Sequence, residues 1–160
     1  TKGGFEYDFV LLTKDDDFWA GPLDLPRFAR KKWSRNTLYT KDCQTYGGFN
    51  DKTCLFGGKA AKRMLSKLYS DFWSPDSRLN TFNTEQFLMR YAEIKGVKHV
   101  STPYAQIPSV VSVYVSQGAK SRPSICTKVV PGNDPMCSGL PDDADFNEPE
   151  SCEGKTVVGR

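Results

Sequence analysis

Apolar positions recur along this chain in three different rhythms, and each predicts a different element. Phe9, Val10, Leu11 and Leu12 form a short continuous run, the pattern of a strand buried on both faces of an α/β sheet. From Lys59 onward, Ala61, Met64, Leu65, Leu68, Tyr69 and Phe72 recur at helical spacing, while Lys59, Lys62, Arg63 and Lys67 fall mostly on the other side. That stripe reads as core, and Pro75 ends the helical region. Asn83, with Gln86 three residues on, has the capping-box pattern for a second helix burying Phe87, Leu88, Tyr91 and Ile94. Gly96 is its natural stop. Val97–Thr102 and Val110–Val115 read as closing strands, the second rich in β-branched residues.

The stretches between are polar or turn-forming. Ala20 to Pro26 is a loop by its Gly and Pro content. Leu38 to Phe56 reads as strand or loop, with Tyr39, Tyr46, Phe49 and Phe56 available for packing and Gly47-Gly48 permitting a close backbone approach. Beyond Gly118 prolines and acids accumulate, among them Asp142, Asp143, Asp145, Glu148, Glu150 and Glu153. The expected organisation is an α/β core over residues 1–117, then an irregular, acidic, Cys/Pro-rich segment over 118–160 acting as a wrap or a linker.

Composition narrows the classes. With 160 residues, 38% hydrophobic and 26% charged, the chain suits one globular domain with a real core. A net charge of +3 is too small to argue for nucleic acid, and none is expected as a partner. No apolar run approaches the roughly 20 residues of a membrane-spanning helix. The chain starts at Thr1, close to an apparent core strand, and reads as the interior of a longer precursor. Any membrane anchor or targeting segment is then expected upstream.

Five cysteines, at 43, 54, 126, 137 and 152, include no CxxC pair, so a structural zinc site is unsupported. Cys43 and Cys54 bracket the Gly-rich loop, and Cys126 and Cys137 bracket a Pro/Gly loop. Disulfides at those places are expected in an oxidising, secretory-pathway environment, and reduced thiols are the alternative.

The chemistry concentrates after the first apolar run. Asp15, Asp16 and Asp17 follow it directly, then Phe18 and Trp19. Ligands of α/β sheets collect beyond the carboxyl ends of strands. Asp15 and Asp17 flank one residue and can converge on Mg²⁺ or Mn²⁺ carrying substrate phosphates; the same run also suits a solvated turn. Phe18 and Trp19 suit stacking on a sugar or nucleoside, or core packing. Arg27, Arg30, Lys31, Lys32 and Arg35, interleaved with Phe28 and Trp33, suit a diphosphate or a solvated helix face. Asn50-Asp51 can hold a sugar hydroxyl or form an ordinary turn. Glu85, in the first turn of its helix, can complement the dipole or accept a proton from an acceptor hydroxyl. His99, the only histidine, reads as structural rather than as a ligand.

A strand ending in D-x-D resembles the metal and nucleotide-sugar motif of glycosyltransferases with the GT-A fold. Gly48-Phe49-Asn50-Asp51, followed by Leu55-Phe56-Gly57, looks like the G-x-N-D segment that precedes a helix in some eukaryotic and viral GT-A-like transferases. Asn83 to Leu88 resembles the acid-bearing helix start those enzymes place near the acceptor. The three pieces occur in order between Tyr7 and Val115. The resemblance implies a partial GT-A-like mixed sheet with flanking helices and transfer of a sugar from a nucleotide-sugar donor to a glycan, protein or lipid hydroxyl. It further implies Mn²⁺ or Mg²⁺ on Asp15 and Asp17, donor contacts from Asp15, Asp16, Asp17, Trp19 and Asn50, and catalytic roles for Glu85 and Asp51. Localisation would be the Golgi or endoplasmic reticulum lumen. Two departures stand out: the late metal-binding histidine is missing, and almost nothing precedes Tyr7, where the family has its base-binding half. The chain therefore reads as the C-terminal part of such a catalytic domain. Rival readings are a metal-dependent phosphotransfer enzyme or nuclease, and a cysteine-stapled recognition domain without catalysis.

Overall fold

In the computed structural model, residues 6–15, 17–19, 21–73, 77–81, 83–115 and 124–127 are described, with backbone alone at 18, 77, 110–115 and 124–127. Asp16, part of the expected acidic motif, lies outside the described residues, as does most of the 118–160 segment. The strands are β1 (Phe9–Thr13), β2 (Asp17–Trp19), β3 (Thr37–Lys41), β4 (Thr53–Gly57), β5 (Lys98–Thr102), β6 (Ser109–Val115) and β7 (Ser124–Thr127). The helices are α1 (Leu25–Ala29), α2 (Gly58–Leu65), α3 (Leu68–Phe72) and α4 (Thr84–Ile94). Among the described residues, no helix is long and apolar enough to cross a membrane.

The main sheet is mixed, with strand order β1-β4-β3-β5. β4 is antiparallel to both β1 and β3, and β5 lies parallel to β3. The two central strands are buried along their whole length, because cover comes from both sides. On one face Leu38, Cys54 and Phe56 meet Ala60 and Met64 of α2 and Phe87, Leu88 and Tyr91 of α4. On the other face Tyr39 and Leu55 meet Phe28 and Ile107, with Trp19 packed against them. β2, β6 and β7 form a second, smaller antiparallel sheet. β7 falls inside the stretch expected to be irregular.

Several expectations need correction. The Phe9–Leu12 run is an edge strand and is not buried on both faces; Leu11 and Leu12 are 41% and 42% exposed. Phe9 and Val10 reach opposite cores, but the helices cover the central strands and leave the far half of β1 in water. The helical stretch from Lys59 breaks at Ser66-Lys67, where Lys67 leaves helical geometry at φ −132°. That break turns Tyr69 (82% exposed) and half of Phe72 outward, so the stripe is core only as far as Leu68. Ile94 sits at the margin of an α4 stripe centred on Leu88 and Tyr91, and is exposed. The Cys43–Cys54 pairing does not form: Cys54 is a free, buried thiol facing α2 and α4, whereas Cys43 is disulfide-bonded elsewhere.

Candidate functional site

Three segments that are distant in sequence meet around the start of β4. The first is the turn between β1 and β2. It is folded back by the Lys14 N–H bonding the Lys52 carbonyl (3.0 Å) and the Asp17 N–H bonding the Lys14 carbonyl (3.2 Å). The second is Asn50 to Thr53. Asn50 is fully buried; its amide donates to the Cys43 carbonyl (2.8 Å), and its Oδ1 accepts from the N–H groups of Lys52 (3.0 Å) and Thr53 (3.4 Å). The side chain expected to touch a donor thus shapes the turn that presents Asp51 and Lys52.

The third segment is the first turn of α4. Its cap is the expected one, with Asn83 Oδ1 accepting from the Gln86 N–H at 2.8 Å. Gly48 lets the preceding loop lie against this turn, since a Cβ there would fall 2.1 Å from the Glu85 carbonyl carbon. Phe49 N–H bonds the Glu85 carbonyl (3.0 Å) across the same contact. Gly48 thereby allows the contact that sets Glu85 beside Lys52.

Side chains complete the convergence. Lys52 Nζ bonds both Asp51 and, at 2.8 Å, Glu85 Oε1. Asp51 also accepts from Lys14 Nζ (3.2 Å) and Thr84 Oγ1 (2.8 Å), and Thr84 reaches Glu85 Oε2 (3.2 Å). Burial pushes the Asp51 carboxyl up, but hydrogen bonds from Lys52 and Thr84 and the charges of Lys52 and Lys14 hold it below the usual carboxylate range. Burial likewise pulls the Lys52 ammonium down, and its bonds to Asp51 and Glu85 outweigh that and raise it.

Asp17 lies on the opposite side of the same strand start. Its Oδ2 accepts from Thr13 Oγ1 (2.9 Å) and Thr53 Oγ1. Its Oδ1 is buried and has no hydrogen-bond partner among the described residues. Thr53 Oγ1 also meets Ser109 Oγ (2.7 Å), and buried Lys41 donates to the Ser109 carbonyl (2.7 Å), which locks the two sheets together here. Burial lowers the Lys41 ammonium, against the opposing pull of the Asp17 charge.

The expected site residues therefore separate into groups. Asp51 and Glu85 share one cluster through Lys52 and Thr84, whereas Asp17 belongs to a separate one with Thr13, Thr53 and Ser109 on the other side of the start of β4. Asp15 is exposed on the turn beside them, and Trp19 is half-buried against the second core. The basic segment makes its contacts elsewhere: Arg35 pairs with Glu6 (2.9 Å), Lys31 lies over Tyr39 and Lys32 over Trp33. His99 stacks on Phe49 (3.5 Å between centroids), bonds Thr40 Oγ1 (2.9 Å) through Nε2, and is driven down to about 4 by burial. Sequence reading missed Lys14, Lys41, Lys52 and the hydroxyls of Thr13, Thr53, Thr84 and Ser109. Lys41 carried one signal, a lysine ending a strand otherwise made of Thr, Leu and Tyr.

As a cation site the cluster is sparse. Among the described residues no group of three or more His, Cys, Asp or Glu is placed to hold a metal. The fit is to a hard ion that takes one or two carboxylates from protein and the rest from phosphate and water, as Mg²⁺ commonly does. Asp17, with its unpartnered Oδ1, meets that requirement best. No protein-family model, curated protein or solved structure matches the chain.

Proposed function

We propose that this chain is the C-terminal part of a GT-A-like glycosyltransferase domain, moving a sugar from a nucleotide-sugar donor to a hydroxyl acceptor. One observation carries the reading: the three motif segments meet at the start of β4, Asp17 bonded to Thr53 on one side and Asp51 and Glu85 held by Lys52 on the other. Asp15 and Asp17 would hold Mn²⁺ or Mg²⁺ together with the donor diphosphate. When bound, the ion would supply charge against that building on the leaving diphosphate. Lys14, exposed beside Asp51, is placed to add a cation for phosphate oxygens. Asp51 and Thr84 offer an acceptor for a sugar hydroxyl. Glu85 serves first to orient Lys52, since its two oxygens are taken by Lys52 and Thr84; it can receive an acceptor proton only once Lys52 moves aside. The disulfide at Cys43 supports a secretory-pathway lumen.

A second reading has its own support. Lys52 and Lys14 already neutralise Asp51 and Glu85, as a purely structural cluster in a recognition domain would require. Release of nucleoside diphosphate from a panel of nucleotide sugars, with Mn²⁺ and with chelator, separates the two. Mn²⁺-dependent release that disappears in Asp17→Ala supports transfer chemistry. Absence of release with every donor, in this chain and in any longer native form, favours the structural reading.

A further inference from the structure

The far end of the β1–β4 pair holds a second site. Thr13 faces Thr53 at the acidic end, whereas Phe9 faces Gly57 at the other. Beyond Gly57, between the stretch from Glu6 to Val10 and α2, lies an open cleft of about 1190 Å³. Its apolar surface comes from Val10, Leu65 and the exposed ring of Tyr7.

The charge along this cleft is one-sided. Arg35, Lys59, Lys62 and Arg63 line it, against a single carboxylate, Glu6. Glu6 is taken up by Arg35 at 2.9 Å, and Arg63 by Asn36 Oδ1 and the Gly96 carbonyl, both at 3.1 Å. The side chains of Lys59 and Lys62 are exposed and make no ion pair or hydrogen bond among the described residues. Lys59, Lys62 and Arg63 stand at i, i+3 and i+4 on one helix, where like charges repel and destabilise it. An anion lying across them would remove that repulsion. Monovalent counter-ions do so weakly; a group with several negative oxygens does so at one point.

Size and lining set the rest of the ligand. The cleft is somewhat larger than the usual small-molecule site and far larger than a bare phosphate needs. Its aromatic and aliphatic wall would cover an organic portion, with Tyr7 placed to stack on a ring or lie along a chain. We propose that this cleft binds an organic phosphate, its phosphate on Lys59 and Lys62 and its organic part on Tyr7, Val10 and Leu65. The site is independent of the acidic cluster and needs no metal. A soluble nucleotide-like phosphate and a lipid phosphate headgroup share this chemistry.

The test uses the full chain in chelator, titrated calorimetrically with pyrophosphate and with ADP, and sedimented with phosphatidylcholine vesicles with and without phosphatidic acid. Binding that weakens with salt is expected for at least one probe. It should fall at least about tenfold in Lys59→Glu/Lys62→Glu and persist in Lys59→Arg/Lys62→Arg. Both lysines are exposed, and circular dichroism of the variants checks that the fold is kept. ADP binding would mark the soluble source, and binding to phosphatidic acid vesicles alone the lipid source. Asp17→Asn should leave all of this unchanged. The proposal is overturned if no probe binds at millimolar concentration, if charge reversal changes nothing, or if Asp17→Asn abolishes binding.

Discussion

The Lys52 ammonium stands 2.8 Å from Glu85 Oε1, tying the start of β4 to the first turn of α4. With Asp51 on its other side, Lys52 is the cation that two partly buried carboxylates depend on. Lys52→Met leaves Glu85 without a cation and Asp51 with Lys14 alone, and for a partly buried group the cost falls between that of a surface and a buried pair, about 1–2 kcal/mol. A matching fall in the urea midpoint, with little change in slope, is the expected result. Full native stability in that variant would mean the cluster is solvated and weak.

Acid and base limits follow from the same group. The lowered Asp51 carboxyl adds stability that is complete above the ordinary value of 3.8 and disappears as pH falls through its depressed value. The raised Lys52 ammonium adds stability that is complete below 10.5 and disappears as pH rises beyond it. Lys52→Met should flatten both limbs of a stability–pH curve. Limbs of unchanged depth would place the titrating groups elsewhere.

His99 acts in the window between. Its folded value of about 4 lies below the ordinary 6.5, so the unfolded chain takes up a proton first as pH falls. Stability from this residue is complete above 6.5 and decreases as pH falls towards about 4. His99→Gln should remove the slope in that interval, read by denaturant titration at stepped pH.

Burial raises the Cys54 thiol to about 12, and the side chain is fully enclosed. Iodoacetamide at neutral pH should therefore label Cys54 only after denaturation, because the thiolate is the nucleophile. Rapid labelling of the folded chain at Cys54, located by peptide mass spectrometry, would contradict its place in the core.

How much of this was legible in the sequence depends on what each residue needed. The Asn83 cap and the β5 and β6 strands follow from local rules, and they stand where spacing puts them. The depth of β1 was not legible, because an apolar run of four does not say whether a neighbour strand lies on one side or two. The break at Ser66-Lys67 carries no glycine or proline and could not be read. Asp51 and Glu85 were recognisable as acids near a turn and a helix start, but their cations were not. Lys14 and Lys52 come from the two strand ends that register brings together, and register is a property of the whole sheet. Asn50 illustrates the same point: its sequence pattern suits either a turn or a ligand contact, and only its bonds to Cys43, Lys52 and Thr53 show how its side chain is occupied.

The most direct measurement is calorimetric titration of a nucleotide-sugar panel into the Lys59→Glu/Lys62→Glu chain, which lacks the metal-free phosphate site beside α2, and into the same chain carrying Asp17→Asn, each with Mn²⁺ and with chelator. At least one donor should bind only with Mn²⁺, and about tenfold or more weaker in Asp17→Asn, because an amide lacks the charge that balances a dication. Donor binding that ignores Mn²⁺, or that Asp17→Asn leaves intact, would contradict the assignment of the Asp17 cluster as the cation and diphosphate site.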